Sequence, residues 1–357
     1  MNDFKPGLEG VVAFETEIAE PDREGGSLRY RGVDIEELVG HVPFEKVWGL
    51  LVDESLEPGL PVEHPKLEVR TGSVMHDLQA SLAIIGGKRG MQSLIDIDDK
   101  QARDDLAVLS ASALSLVAQS LRGDQAPVDE QTIAQGKTAA ERFLLEWRGE
   151  LDPKHAVAVD TYWICTAEHG LNASTFTARI TASTGADCAA ALSSAVGALS
   201  GPLHGGAPAR VLPMLDAVAK RGDAEAWVKD ALDSGDRIMG FGHRVYRAED
   251  PRARLLRRTA KELGSPRFEV AESLEDAALA ELARRRPDRV LATNVEFWSA
   301  VVLDVAEIPP NVAPAMFACS RTAGWSAHVL EQKRLSRLVR PSARYVGPGE
   351  RTLSSLR

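Results

Sequence analysis

Cysteine, aromatic residues and positive charge are all scarce in this chain. Its 357 residues hold three cysteines, Cys165, Cys188 and Cys319, far apart and among small or apolar neighbours. That number and spacing exclude a disulfide framework, so reduced core thiols in a reducing compartment, the cytoplasm, are expected. No CxxC, HExxH or HxxxH spacing occurs, which removes the common zinc sites. Lys and Arg total 42 against 52 Asp and Glu, a net charge of −10. A nucleic-acid-binding surface calls for the opposite sign, although a local arginine cluster can still attract a small anion. There is no run of 18 apolar residues, and the small-residue stretch from Asn172 to Gly201 is interrupted by Arg179 and Asp187. A membrane-spanning helix is therefore not expected. The segment Met1–Pro6 has no apolar h-region, so no signal peptide is expected either.

What the chain does have is alanine, leucine and helix punctuation. The best candidate for β structure lies in residues 9–31: a strand from Val11 to Ile18, a turn over Pro21–Gly26 and a return strand over Ser27–Arg31. Downstream, apolar positions from Leu106 to Leu121 repeat on one helical face and stop at Gly123. Helices are predicted over Glu130–Arg148, His155–His169, Asp187–Leu199, Asp223–Ser234, Glu272–Arg285 and Ala313–Gln332. Asp250-Pro251 predicts another helix start, with a capping aspartate followed by proline at the first helical position. The chain reads as mainly α, with a small N-terminal β hairpin.

Eight histidines are spread along the sequence. His41, His64 and His155 read as surface or capping residues, and His76 and His328 as structural ones within helices. His169, His204 and His243 differ. His169 lies where an apolar helix breaks, in Glu168-His169-Gly170-Leu171-Asn172-Ala173-Ser174-Thr175. His204 and His243 lie beside glycines, which let a ligand approach the chain closely. Arg252 falls in the first turn of the helix opened by Asp250-Pro251. Arg321 interrupts an otherwise apolar run, and a buried charge needs a partner, either a structural carboxylate or a substrate carboxylate held in its fork. Arg340, before Pro341, reads on its own as a surface residue. Asn294 is a helix N-cap by pattern. Glu296 then either complements the helix dipole or serves as a general base.

Together these segments resemble citrate synthase along essentially the whole chain. The start from Gly7 to Leu38 is similar to the family's N-terminal signature, and His169 with Asn172–Thr175 is similar to its first histidine motif. Gly201-Pro202-Leu203-His204-Gly205-Gly206-Ala207 and Gly240-Phe241-Gly242-His243 through Asp250-Pro251-Arg252 resemble its central motifs. Ser320–Trp325 and Val339-Arg340-Pro341 resemble its C-terminal ones. The resemblance implies a two-domain helical fold and a homodimer of the short type. The large domain would comprise 1–206 and 314–357, and a small mobile domain 207–313. It implies condensation of acetyl-CoA with oxaloacetate, then hydrolysis of citryl-CoA to citrate and CoA. No cofactor is needed, because the CoA thioester is a substrate. His204 would hydrogen-bond the thioester oxygen, His243 would polarise the oxaloacetate ketone and Glu296 would be the base. His169, Arg252, Arg321 and Arg340 would bind oxaloacetate, Arg340 from the other subunit. Ile238, Met239, Gly240, Phe241, Gly242 and Arg247 would contact CoA.

Two positions depart from the family pattern. Glu296 stands where the family usually has aspartate, so the carboxylate is one methylene further out. A misplacement of about 1 Å costs roughly a hundredfold in rate unless the backbone compensates. Glu168-His169-Gly170 replaces the more common Asp-His-Glu, which touches the support of His169. The nearest alternative function is 2-methylcitrate synthase, which uses propionyl-CoA and differs only in the space around one methyl group. An alternative of another class is a non-catalytic paralogue binding CoA or dicarboxylate as a regulatory subunit. Glu296 favours it, and the retained histidines and arginines argue against it.

Overall fold

Capping residues set the helix boundaries in the computed structural model, which describes residues 4–22, 26–204, 210–242, 249–287 and 291–356. The first helices are α1 (Ile35–Leu38), α2 (Phe44–Asp53), α3 (Val74–Arg89), α4 (Asp99–Arg122) and α5 (Glu130–Ile133). Then come α6 (Ala139–Arg148), α7 (Pro153–Thr166), α8 (Ala173–Ser183), α9 (Cys188–Leu199) and α10 (Val211–Arg221). The last are α11 (Ala224–Asp233), α12 (Pro251–Glu262), α13 (Phe268–Arg285), α14 (Val295–Val305) and α15 (Ala313–Leu335). Asp98, Asp187, Asp223 and Asp250 cap their helices through side-chain oxygens, each accepting one of the backbone N–H groups a helix start leaves unpaired. The chain is mainly α, as expected. None of these helices is long and apolar enough to cross a membrane.

The N-terminal β structure differs from the expected hairpin. It is a three-stranded antiparallel sheet of β1 (Ala19–Pro21), β2 (Leu28–Tyr30) and β3 (Val33–Asp34), in that order. Arg31 and Gly32, both at positive φ, make the tight turn between β2 and β3. The segment Val11–Ile18 is no strand. Val12 is 87% exposed, and among the described residues no ladder partner runs beside it, so strand-like composition had nothing to pair with. Residues 130–148 form two helices. Thr138 and Glu141 close a capping box that starts α6 afresh, and Gly136 packs so tightly on Arg142 that a Cβ there would lie 2.7 Å from its amide nitrogen. Helix α7 stops at Thr166, leaving His169 in a loop.

Helix α15 is the hub. It is buried on nearly all sides from Ala313 to Gln332 and packs on α2, α4, α7, α8 and α9. Small residues allow these close approaches. Gly324 is the sharpest case: a Cβ there would lie 2.0 Å from Glu168 Oε2 and 2.7 Å from the Ala167 carbonyl. Its amide donates to that same carbonyl at 3.2 Å. The little sheet reaches the same place from the other side. Buried Tyr30 hydrogen-bonds the carbonyls of Ile164 (3.0 Å) and Glu168 (3.1 Å), pinning the end of α7 beside His169. All three cysteines are buried and free. Gly324→Ala is expected to lower the unfolding free energy by about 1–3 kcal/mol, because neither buried neighbour can move aside freely. Denaturant titration checks this; unchanged stability would contradict the packing described.

Candidate active site

A cavity of about 160 Å³ lies where the loop after α7 meets the start of α8, α12, α14 and α15. Five of the residues singled out in the sequence line it: His169, His204, Arg252, Glu296 and Arg321. They come from five separate segments of the chain. Phe317, Tyr162, Thr166 and Asn172 complete much of the wall.

His204 is half-buried and fixed by Ser174. Its Nε2 lies 2.9 Å from the Ser174 hydroxyl and accepts the Ser174 backbone N–H at 3.3 Å. An amide can only donate, so Nε2 is the acceptor and the ring proton sits on Nδ1. The Ser174 hydroxyl accepts the Trp325 indole N–H at 3.2 Å, and its single proton has two acceptors in reach, His204 Nε2 and Asn172 Oδ1, each at 2.9 Å. Asn172 is also the N-cap of α8. Burial, reinforced by the charge of Arg321, pulls the His204 pKa down to about 4. The imidazole is therefore a neutral hydrogen-bond donor near neutral pH.

Arg321 is 1% exposed. Its Nε donates to the Thr166 carbonyl at 2.9 Å, and its guanidinium lies over the Phe317 ring at 4.6 Å. Burial pulls its pKa down, while the buried Glu168 carboxylate opposes that shift. Arg252, 3% exposed, pairs with Asp250 through Nε–Oδ1 at 3.0 Å and Nη2–Oδ2 at 2.8 Å. Glu296 sits in the first turn of α14, where its amide donates to the Asn294 cap at 3.0 Å. Burial pushes its carboxyl pKa above the usual range, Arg252 opposes this and Asp250 adds to it. Glu296 is thus a carboxylate of raised basicity, the property a general base needs.

The other expected site residues are placed differently. His243 and Arg247 lie outside the described residues. Arg340 is exposed in the C-terminal segment after α15 and does not line the cavity. Ile238–Gly242 form a loop bound to the strand-like entry of α14. The Gly242 amide donates to the Ala292 carbonyl at 2.8 Å, and the Asn294 amide to the Gly240 carbonyl at 2.9 Å. Gly240, at φ 92°, packs against Phe297 so closely that a Cβ would lie 2.6 Å from the Phe297 Cβ. Glu168, the departure noted beside His169, turns away from the cavity toward His328, whose Nε2 is 3.2 Å from its Oε1. Sequence reading gave no role to Ser174, Tyr162, Thr166 or Phe317. The available signal was Tyr162 and Thr166, one turn apart at the C-terminal end of α7 just before His169.

Two buried guanidinium groups, a neutral imidazole donor and a basic carboxylate around one small cavity define a class: an acid–base enzyme for a small carboxylate substrate. The family described as "Citrate synthase, C-terminal domain" matches residues 7–342. The chain belongs to the citrate synthase family and is an acyltransferase of the citrate synthase type. A putative citrate synthase 2 from Mycobacterium tuberculosis is 61% identical, the match covering 99% of this chain and 96% of that one. A citrate synthase from Haloferax volcanii is 35% identical over 97% of this chain and 96% of its own. Among solved structures, the citrate synthase of Thermoplasma acidophilum, in ternary complex with carboxymethyl coenzyme A and oxaloacetate, superposes with a TM-score of 0.83. It is 26% identical, with 98% of each chain covered.

The expected His204 titration is distinctive. In 15N NMR its imidazole should stay neutral, protonated on Nδ1, from pH 8 down to the vicinity of its pKa of about 4. A midpoint near the ordinary histidine value of about 6.5 would contradict the environment described.

Proposed function

We propose that the protein condenses acetyl-CoA with oxaloacetate and hydrolyses the citryl-CoA product to citrate and CoA. The observation that carries this reading is that Glu296 and the neutral His204 share one small cavity with buried Arg252 and Arg321. The acetyl methyl proton is very weakly acidic. A carboxylate removes it only if charge on the thioester oxygen is met as it forms. Glu296 takes the proton, and His204 Nδ1–H donates to that oxygen. A neutral donor suits an enol-like intermediate. Arg252 and Arg321 hold the two oxaloacetate carboxylates, with His169 orienting the substrate. His243 polarises the ketone as the new carbon–carbon bond forms. The Ile238–Gly242 loop and Arg247 take the CoA. The loop's hydrogen bonds to the entry of α14 join the CoA site to the base.

The enzyme acts as a homodimer in the cytoplasm, with Arg340 supplied to the partner's site. Both terminal segments support this. Val12, Tyr345 and Val346 are 87%, 78% and 82% exposed, apolar surface that a second copy would cover. The three free, buried cysteines suit a reducing compartment. Closure of a small domain, 207–313, on a large one, 1–206 with 314–357, would exclude water from the reaction.

Thiol release with oxaloacetate and either acetyl- or propionyl-CoA tests the reading. Acetyl-CoA is expected to be the better donor, and Glu296→Gln to lower kcat by about 10²–10⁴. Absence of CoA release with both donors would sink the proposal, and full activity of Glu296→Gln would remove Glu296 as base. The base must be ionised, and its folded pKa is raised. Activity should therefore fall with acidification at a pH above the ordinary glutamate range, and the midpoint should move in Glu296→Asp. An acid limb unchanged by that substitution would assign it to another group.

A further inference from the structure

One buried carboxylate behind the cavity wall has no part in the chemistry above. Asp250 is 1% exposed, and both its oxygens are occupied twice. Oδ1 accepts the Arg252 backbone N–H at 3.1 Å and Arg252 Nε at 3.0 Å. Oδ2 accepts Arg252 Nη2 at 2.8 Å and the Val295 backbone N–H at 3.1 Å. The first contact caps α12. The next two form a bidentate ion pair, which fixes the plane of the guanidinium as well as its position. The fourth reaches 45 residues along the chain to the first N–H of α14, one residue before Glu296.

That fourth bond is the unusual one. Asn294 already caps α14, but its side chain serves the Glu296 amide and leaves the Val295 N–H to Asp250. One carboxylate thus starts two helices, and each helix carries a cavity residue in its first turn. We infer that Asp250 is a positioning residue that braces Arg252 and the Glu296-bearing turn of α14 against each other. It fixes the geometry between the carboxylate-binding guanidinium and the base. The inference rests on the reading of Arg252 as a substrate-carboxylate ligand and Glu296 as base. Its chemistry is that of a shared acceptor. Displacing Asp250 removes the bidentate hold that sets the plane of the Arg252 guanidinium and lets the α14 entry shift, and a shift of about 1 Å at a base costs roughly a hundredfold in rate.

Two substitutions separate the arms. Asp250→Asn keeps size and shape but turns one doubly accepting oxygen into a donor. It should raise the KM for oxaloacetate and lower kcat, each by about tenfold or more, with the KM for acyl-CoA little changed. Val295→Pro removes the N–H that reaches Asp250, and because the Val295 side chain also lines the cavity, Val295→Ala serves as the side-chain control. Proline is favoured at the first helical position, and Asn294 before it already has the extended backbone proline demands, φ −101° and ψ 173°. Measured against Val295→Ala, this variant should lower kcat about tenfold and leave the KM for oxaloacetate within about twofold. In the double variant Asp250→Asn/Val295→Pro, the kcat loss should not exceed that of Asp250→Asn alone, because both remove the same bond. Circular dichroism melts identify a variant that has not folded. If Asp250→Asn is the one that fails, the comparison of Val295→Pro with Val295→Ala decides. Wild-type kcat and KM in folded Asp250→Asn, or multiplicative losses in the double variant, would overturn the brace. Wild-type protein that releases no CoA would instead defeat the functional reading beneath it.

Discussion

Two guanidinium groups held out of water at the floor of one cleft set the terms for the rest of the structure. An uncompensated buried charge costs several kcal/mol, so Arg252 and Arg321 are tolerable only if the fold supplies partners in fixed places. The two solutions differ. Arg252 has a direct bidentate carboxylate, Asp250, two residues away. Arg321 has a backbone carbonyl, an aromatic face and a carboxylate, Glu168, that acts at a distance. Both guanidinium groups still line the cavity.

Compensation of Arg321 extends far into the protein. Glu168 is held by His328, whose Nδ1 lies 2.9 Å from Arg179 Nη1. Arginine only donates, so His328 accepts at Nδ1 and donates from Nε2 to Glu168. Arg179 pairs in turn with Glu331, whose other oxygen accepts the Thr16 hydroxyl and the Glu17 amide, each at 3.1 Å. A hydrogen-bonded chain of charged side chains, bridged by the neutral His328 imidazole, thus runs from the surface N-terminal segment to the residue beside His169. It passes through α15, and the close packing of Gly324 on Glu168 is where hub helix and charge network meet. The same chain answers the departure at Glu168: the longer acid is used as a buried counter-charge, with its carboxylate turned toward His328.

The reactive groups depend on this frame for their electrical state. His204 is neutral because it is buried near Arg321, and its tautomer follows from a backbone amide that cannot accept. Glu296 is basic because burial outweighs the attraction of Arg252. One cleft therefore lowers the proton affinity of an imidazole and raises that of a carboxylate, both by desolvation, which disfavours whichever form is charged.

Local chemistry sufficed for much of this. Asp250-Pro251, Asn294, Gly123 and Asp187 announced their helix boundaries from the sequence, because a cap is decided by one or two adjacent residues. His169, His204 and Glu296 stood out through their neighbours, and Arg321 through the apolar run it interrupts. Where pairing or packing decides, the sequence was silent. Val11–Ile18 has strand composition, yet a ladder needs a partner that only the folded chain can place. The role of Ser174, the turn of Glu168 toward His328 and the reach of Asp250 to Val295 are contacts between segments tens to hundreds of residues apart. The identity of the chemical groups was written locally. Their protonation states and mutual geometry were decided by burial and long-range contact, which exist only once the helices have packed.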